Sequence, residues 1–185
     1  MSSLKIILTL PVLAVLLLTC GCGYHSPYAV PDGKALPEAG IHLKVWENRT
    51  NELGLESTIG QALADWIIQS KHLRIKTSSS DADYELSGIL LSTGDSGTSY
   101  DAHDLVQILK TVIHMSFTLK ETKTGKIVWT VADLGRETSY SVGPNTVSTR
   151  SNKQKALTTL ANETAEDIYL RIFYTLTKKT DNHAK

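Results

Sequence analysis

The stretch TVIHMSFTLKETKTGKIVWTV, residues 111–131, contains the pattern that decides the fold. Every second residue in the middle of its first half is apolar, namely Ile113, Met115, Phe117 and Leu119. A period of two is typical of a β-strand with one buried face, so a strand is predicted at Thr111–Glu121. Gly125 supplies a turn, and Lys126–Val131 runs back beside the first strand. The stretch therefore predicts a hairpin with one face covered.

Three further strands are predicted on the N-terminal side of this hairpin. Ile41–Glu47 also alternates, which places Val45 on the buried face and Trp46 on the polar face. Leu73–Lys76 is a short strand, and Tyr84–Leu91 has strand-like composition.

Two segments are predicted to be long loops. The first, residues 92–109, is rich in Gly, Ser and Asp, and the second is residues 135–150. Because both flank the hairpin at the same end, the two loops are expected to emerge together there.

Two segments have the period of three to four that is typical of amphipathic helices. They are Glu52–Lys71 and Ser151–Leu176. The apolar stripe of the first is Leu55, Ile59, Ala62, Leu63, Trp66 and Ile67. Gly60, inside this helix, is expected to allow close packing on the sheet. The elements predict an α+β two-layer sandwich, with two helices on one face of a roughly four-stranded mixed or antiparallel sheet.

Residues 1–21 are predicted to be a lipoprotein signal peptide. Lys5 gives a short positive head, and Ile6–Leu18 is almost wholly apolar before small residues follow. The apolar run is shorter than the roughly 20 residues of a spanning helix. A transmembrane anchor or a buried core helix is therefore the less favoured interpretation.

The only two cysteines, Cys20 and Cys22, follow this apolar run. The segment resembles a bacterial lipobox, in which the cysteine thiol is the acyl acceptor. Gly21 gives Cys22 the better small neighbour, whereas Thr19 precedes Cys20. We predict lipidation at Cys22, with Cys20 as the alternative. A cytosolic Cys-x-Cys metal or redox site is the competing interpretation, and the export signal disfavours it.

The rest of the chain is long enough for one domain. Residues 22–40 are predicted to be a lipidated flexible tether, residues 41–178 a single α+β domain, and residues 179–185 a disordered tail. Lys plus Arg and Asp plus Glu number 19 each, so no net positive field favours a nucleic acid.

Known catalytic signatures are absent from the sequence, which has no G-x-S-x-G, no P-loop and no Rossmann glycine set. The six histidines lack metal-ligand spacing. Asp101, His103 and Asp104 could in principle hold a metal, but a solvated polar loop explains them better. We therefore expect no catalysis, no metal and no cofactor.

Five segments, taken in order, resemble the bacterial lipopolysaccharide-assembly lipoprotein family LptE. They are GCGYH at 21–25, PEAGIHLKVWENRTNELGLESTIGQAL at 37–63, DADYELSGIL at 81–90, ETKTGKIVW at 121–129 and SNKQKALTTLANETAEDIYLRI at 151–172. Each segment alone is weakly specific, whereas the ordered set covers nearly all of the mature chain. Thr19 departs from the usual lipobox pattern.

The resemblance implies a lipid-anchored protein on the periplasmic side of the outer membrane. It implies that the protein sits as a plug inside the β-barrel LptD, helps this barrel assemble, and binds lipopolysaccharide during its insertion into the outer leaflet.

A lipopolysaccharide headgroup carries phosphates, which Lys and Arg bind by charge and hydrogen bonds. Hairpin geometry suggests that Lys110, Arg136 and Arg150 converge where the two predicted loops emerge, with Lys153 one helical turn further. The resemblance places Arg150 at the family's basic position just before the last helix. These four residues are the predicted lipopolysaccharide-binding residues, and each could equally be an ordinary solvated basic side chain.

Two other functions remain open from the sequence. The chain could be another outer-membrane α+β lipoprotein, one that regulates peptidoglycan synthesis or forms a secretion channel. It could also be a periplasmic hydrolase that uses Asp101, His103 and Asp104.

Overall fold

Six strands and two α-helices make up most of residues 38–183, the part of the chain that the computed structural model describes. In chain order they are β1 (Ala39–Leu43), β2 (Glu47–Asn48), α1 (Leu55–Gln69), β3 (Leu73–Lys76), β4 (Tyr84–Tyr100), β5 (Val106–Glu121), β6 (Ile127–Ser141) and α2 (Thr146–His183). The predicted signal peptide, both cysteines and nearly all of the predicted tether lie outside the described residues.

The strands form one mixed sheet in the order β3-β1-β4-β5-β6. β1 runs parallel to β3 and to β4, and β2 extends the same row along β4 by pairing Glu47 with Ile89. β5 is antiparallel to both of its neighbours, β4 and β6. The predicted fold class is confirmed, with six strands in place of about four.

β4, β5 and β6 are longer than predicted, and the predicted long loops at 92–109 and 135–150 are wrong. The pairing of β4 with β5 continues to Tyr100 opposite Val106, and β6 remains paired with β5 as far as Ser141. A ladder is made of backbone hydrogen bonds, so a Gly- and Ser-rich segment can remain a strand when its partner strand is well formed. Only short connections are left at this end of the sheet.

The predicted strand at Ile41–Glu47 is interrupted. The prediction that Val45 is buried and Trp46 lies on the polar face was wrong. Val45 is 90% exposed and Trp46 only 6%, because the chain leaves the ladder between β1 and β2 and the phase shifts. The Trp46 ring lies over Gly88, where an added Cβ would be 2.6 Å from it, and 5.0 Å from the Phe117 ring. Trp46 is therefore part of the core.

α1 confirms the first predicted helix within slightly narrower bounds. Gly54 precedes it with φ of 84°, a conformation that favours glycine. The predicted stripe is buried except for Trp66, which is partly exposed and stacks on Tyr169 at 5.6 Å between ring centroids. The expectation for Gly60 was wrong, because a Cβ added there would meet no atom within 4 Å.

α2 begins earlier than the predicted Ser151 because Asn145 caps its first turn. The Asn145 side-chain oxygen accepts a hydrogen bond from the Ser148 N–H at 2.9 Å. The helix continues to His183, through most of the segment predicted as a disordered tail at 179–185, which contains no Gly or Pro to stop it. Among the described residues, no helix is both long and apolar enough to cross a membrane.

The helices and one face of the sheet enclose the core. The sheet contributes Ile41, Leu86, Leu90, Ile113, Met115, Phe117 and Leu119, and the helices contribute Ile59, Leu63, Ile67, Leu160, Ala161, Ile168 and Ile172. The opposite face carries polar cross-strand pairs, such as Lys120 with Glu85 at 3.2 Å and Thr118 with Thr130 at 3.0 Å. The predicted two-layer sandwich is confirmed.

The two ends of the sheet differ in how they are covered. At the turn end, where β5 meets β6 around Gly125, both helices pack on the sheet. The far end is where β4 and β6 stop and α2 starts. β4 is 17 residues long, or about 56 Å. β2, which precedes α1, pairs with β4 near Leu90. Further along β4, Asp95 contacts Lys153 in the first turns of α2 at 2.8 Å.

Candidate functional site

A cleft of about 770 Å³ lies at the far end, between the loop before α1 and the first turns of α2. Arg150 and Lys153 line one side, and residues 51–55 line the other. A second groove of about 440 Å³ is lined by Tyr140 and Val142 together with the same two basic residues. We call these spaces the Arg150 cleft and the Tyr140 groove.

The loop before α1 is held in shape by the Asn48 side chain. Asn48 Oδ1 accepts hydrogen bonds from the Thr50 N–H at 2.8 Å and from the Thr50 hydroxyl at 2.7 Å. Asn48 Nδ2 donates to the Glu52 carbonyl oxygen at 2.9 Å and to the Glu56 carboxylate at 2.5 Å. The NRT segment therefore folds into a side-chain-supported turn, which fixes Glu52 at the edge of the cleft.

Lys153 is the centre of an ionic cluster between three elements. Its Nζ donates to the Glu52 carboxylate at 2.6 Å and to the Asp95 carboxylate of β4 at 2.8 Å. Asp95 also accepts a hydrogen bond from the hydroxyl of Thr111, a fully buried residue of β5. The Lys153 side chain is only 19% exposed. We call Lys153, Glu52, Asp95 and Thr111 the Lys153 cluster.

The pKa values of Lys153 and Asp95 are shifted in the direction that favours the charged forms. Burial by itself lowers the pKa of Lys153, but hydrogen bonds to Asp95 and Glu52 outweigh burial and raise it above the ordinary 10.5. Burial by itself raises the pKa of Asp95, but the bonds from Lys153 and Thr111 lower it below the ordinary 3.8. Lys153 and Asp95 are therefore charged at neutral pH.

Arg150 differs from Lys153 because it is exposed and has no ion-pair partner among residues 38–178. It lies one helical turn before Lys153 and on the same side of α2, since both residues line both spaces. None of the ion pairs between described residues includes Arg150. Arg150 was predicted to lie just before the last helix. This prediction was wrong, because α2 begins at Thr146 and therefore includes Arg150.

Arg136, which was expected in a loop, lies in β6 and faces α2. One of its terminal nitrogens donates to the Asp167 carboxylate at 2.5 Å, and Asp167 also accepts from Arg171 at 3.2 Å. The Arg136 Nε is buried and has no partner among the described residues. The charge of Arg136 is therefore used to join β6 to α2.

Lys110 lies on the opposite face of the sheet from the Arg150 cleft. Its neighbour Thr111 points toward the helices, and successive side chains of a strand alternate between faces. Lys110 pairs with Glu137 across the open face at 3.2 Å. The structure thus brings Arg150 and Lys153 together, leaves Arg136 on the helix-covered face in its own ion pair, and separates Lys110 from all three.

Asp101, His103 and Asp104 form the tight turn between β4 and β5. The Asp101 carboxylate accepts from the His103 N–H at 2.8 Å and from the Leu105 N–H at 3.0 Å. Asp104 has φ of 61°, as such turns often require. Among the described residues, no group of three His, Cys, Asp or Glu side chains could hold a metal ion. The Asp101 carboxylate thus stabilises the turn by accepting hydrogen bonds from its backbone.

Sequence reasoning did not identify Glu52, Asp95 or Thr111 as site residues. Asp95 was assigned to a loop, and its pairing with Lys153 joins positions 58 residues apart. The feature that could have identified Asp95 is its place in a strand directly opposite the fully buried Thr111. This feature can be recognised only once the register of β4 and β5 is known.

The side chains that line the cleft have the chemical character that suits an anionic group with an apolar portion attached. Arg150 presents a planar set of N–H donors that suits phosphate or carboxylate oxygens. Leu53, which lines the cleft, is 93% exposed, and Val142 borders the neighbouring groove. An exposed cation and exposed apolar side chains thus line the same spaces, a combination that suits an amphiphile with an acidic headgroup.

The chain matches the profile of a protein family described as LptE, lipopolysaccharide-assembly, over residues 39–172. The matched region runs from β1 into α2 and includes the whole Lys153 cluster. A search of curated proteins finds no match.

Several solved structures share the fold at low sequence identity. A putative lipoprotein from Caulobacter crescentus is similar with a TM-score of 0.53 and 15% identity, over 74% of this chain and 89% of that one. Lipoprotein B from Nitrosomonas europaea gives 0.52 and 11%, over 74% and 83%. The rare lipoprotein B from Shewanella oneidensis gives 0.50 and 14%, over 79% and 99%. These similarities support the architecture alone.

Proposed function

The chain belongs to the LptE family of lipopolysaccharide assembly, and on this premise we propose that it is a non-catalytic outer-membrane lipoprotein. In this proposal it forms a complex with the β-barrel LptD on the periplasmic side, acts as plug and assembly factor, and binds lipopolysaccharide during insertion into the outer leaflet. The family match across the sheet and most of α2 is the observation that carries the proposal.

The proposed membrane attachment is a lipid on Cys22, with Cys20 as the alternative, after removal of a signal peptide at residues 1–21. Residues 22–40 then link the lipid to the folded domain, although Ala39 already belongs to β1. Mass spectrometry of the mature N-terminus tests this directly. An acylated peptide beginning at Cys22 is expected, whereas an uncleaved N-terminus would contradict it.

The proposed lipopolysaccharide-binding residue is Arg150. Its guanidinium lies at the boundary of the Arg150 cleft and the Tyr140 groove, and no carboxylate of the described residues neutralises it. A lipid phosphate could therefore accept hydrogen bonds from it without first displacing an internal partner. Lys110, Arg136 and Lys153 already have carboxylate partners, so we propose that they contribute less.

The open sheet face is the surface that best suits a barrel interior. Charged side chains on it are paired within the face, as in Lys110 with Glu137 and Lys120 with Glu85, both at 3.2 Å. The interior of an outer-membrane barrel is polar, so a polar, self-neutralised face can contact it without burying an unpaired charge.

Co-purification tests the proposed partner. The full-length protein, tagged at its C-terminus and extracted in mild detergent, is expected to bring a large β-barrel protein with it. A variant with both cysteines changed to Ser, which cannot be acylated, serves as the control for membrane delivery. Recovery of the acylated protein with no barrel protein would overturn the proposed complex.

A further inference from the structure

We infer that Lys153 is a positioning residue for Arg150 and does not itself bind the anionic group. This inference rests on the proposed lipopolysaccharide binding and specifies how its site is built. Arg150, which belongs to none of the ion pairs between described residues, is presented by a cluster that holds the start of α2. It therefore assigns different roles to two basic side chains that lie one helical turn apart.

The first reason is charge. The Lys153 ammonium has two carboxylate partners, Glu52 at 2.6 Å and Asp95 at 2.8 Å. Two carboxylates around one ammonium leave a local net charge of −1, which repels an incoming anion. A phosphate could reach the ammonium only by displacing one of these carboxylates.

The second reason is that the Glu52 backbone and the Asp95 carboxylate are themselves held in place. Glu52 follows the turn that Asn48 and Thr50 build, and its own N–H donates to the Thr50 hydroxyl at 3.2 Å. Asp95 accepts from the buried Thr111 hydroxyl. Asp95 can therefore leave Lys153 only if it moves relative to Thr111, and the backbone that carries the Glu52 carboxylate is fixed beside Lys153.

The third reason is connectivity. Lys153 belongs to α2, Glu52 to the loop before α1, and Asp95 to β4, so the ammonium joins three separate segments at the far end. Arg150 is three residues earlier on the same side of the helix. Fixing Lys153 therefore fixes the turn of α2 that presents the Arg150 guanidinium between the two spaces.

A double-mutant cycle with purified lipopolysaccharide and the full-length protein in detergent tests the two roles. Arg150→Gln is expected to weaken binding about tenfold, the loss of one charge-assisted hydrogen bond. Lys153→Gln is expected to weaken it about fivefold or more by releasing the first turns of α2. If Lys153 acts through Arg150, the double variant binds no worse than Arg150→Gln alone.

Two further variants separate positioning from direct contact. Lys153→Arg keeps both ion pairs and is expected to restore binding to near wild type. Asp95→Asn makes Lys153 more available to an anion, and under this inference it does not strengthen binding. Additive losses in the cycle, or tighter binding by Asp95→Asn, would show that Lys153 contacts the anion and would overturn the inference.

Hydrogen exchange of the unliganded protein gives a readout that needs no lipopolysaccharide. Backbone amides in residues 146–153 are expected to exchange faster in Lys153→Gln and to regain protection in Lys153→Arg, with residues 160–172 unchanged. Unchanged exchange at 146–153 would overturn the positioning role even if lipopolysaccharide binds. If wild-type protein bound no lipopolysaccharide, the proposed function would fail, and exchange would still decide the role of Lys153.

Discussion

The helices contact the sheet in two chemically different ways. Near the turn end the contact is apolar, with side chains such as Leu63 and Ile168 lying against the face that carries Phe117 and Leu119. At the far end the corresponding contact is ionic, made by the Lys153 cluster. The same two layers are thus joined by non-directional burial in one half and by directional charge pairs in the other.

The two kinds of contact have different consequences: the apolar contact mainly stabilises the fold, and the ionic contact mainly fixes the position of α2. Apolar burial contributes roughly in proportion to the area removed from water and tolerates small shifts. A partly buried ion pair contributes little net stability, because desolvation offsets most of the attraction, but it demands a particular geometry. We therefore expect substitutions at the turn end to affect unfolding most, and substitutions at the far end to affect the placement of Arg150.

The largest effect is expected in the apolar half. Phe117→Ala removes a ring that is 2% exposed and contacts Trp46, so the free energy of unfolding should fall by about 3–5 kcal/mol. Urea unfolding followed by circular dichroism measures this. Val112→Ala, on the opposite face of the same strand, is the matched control. An equal loss in both variants would contradict the one-sided core.

A smaller loss of unfolding free energy is expected at Gly88, where the Trp46 ring lies over the sheet. In Gly88→Ala the new methyl group would meet the Trp46 ring at 2.6 Å, which should cost about 1–3 kcal/mol of unfolding free energy. Gly94→Ala on the same strand meets no atom within 4 Å and should be tolerated. Comparison of the two urea midpoints checks the position of Trp46, and equal midpoints would show it to be wrong.

The ionic half should give a comparable or smaller loss. Lys153→Met leaves Glu52 and Asp95 without their cation, which should lower the free energy of unfolding by about 1–3 kcal/mol. Lys110→Met breaks a more exposed pair with Glu137 and should cost less than about 1 kcal/mol. If Lys110→Met were the more destabilising change, the Lys153 cluster would not be a structural element.

The smallest effect is a pH dependence of the same cluster. The pKa of Asp95 is lowered on folding, so its contribution is present above 3.8 and is lost as the pH falls through the folded value. The pKa of Lys153 is raised, so its contribution is present below 10.5 and is lost at higher pH. The contributions of both residues are thus fully present at neutral pH.

Asp95→Asn gives the matching measurement. Its urea midpoint should lie below that of the wild type at neutral pH, and the gap should narrow below about pH 4 as the wild-type carboxylate is protonated. Glu137→Gln, in the exposed pair with Lys110, is the control. The difference between its urea midpoint and that of the wild type should change little with pH. If the difference in midpoint between Asp95→Asn and the wild type widened in acid, the pKa of Asp95 would not be lowered on folding.

The apolar half was largely predictable from the sequence, and the reason is that its signals are local. The alternation from Ile113 to Leu119 and the stripe of α1 each identify a buried face without knowledge of any partner. The failure at Val45 and Trp46 has a specific cause. A break in the ladder after β1 shifts the alternation, and no residue type announces the shift that buries Trp46.

The ionic half was not predictable in the same way. Residues 92–100 have the composition of a loop, and they form a strand because β5 supplies a ladder for them. The partners of Lys153 are 58 and 101 residues away along the chain. Arg150 was one of the four predicted binding residues, but its separation from Lys110 follows from strand alternation before Thr111, the predicted start of β5.

Binding of lipopolysaccharide by two charge-reversal variants tests the central claim most directly. Arg150→Glu places a carboxylate between the Arg150 cleft and the Tyr140 groove, whereas Lys110→Glu makes the same charge change on the open face. Titration of the full-length proteins with purified lipopolysaccharide should show a loss of about tenfold or more for Arg150→Glu and wild-type affinity for Lys110→Glu. Wild-type affinity for Arg150→Glu, or an equal loss in both variants, would contradict a lipopolysaccharide site at the Arg150 cleft.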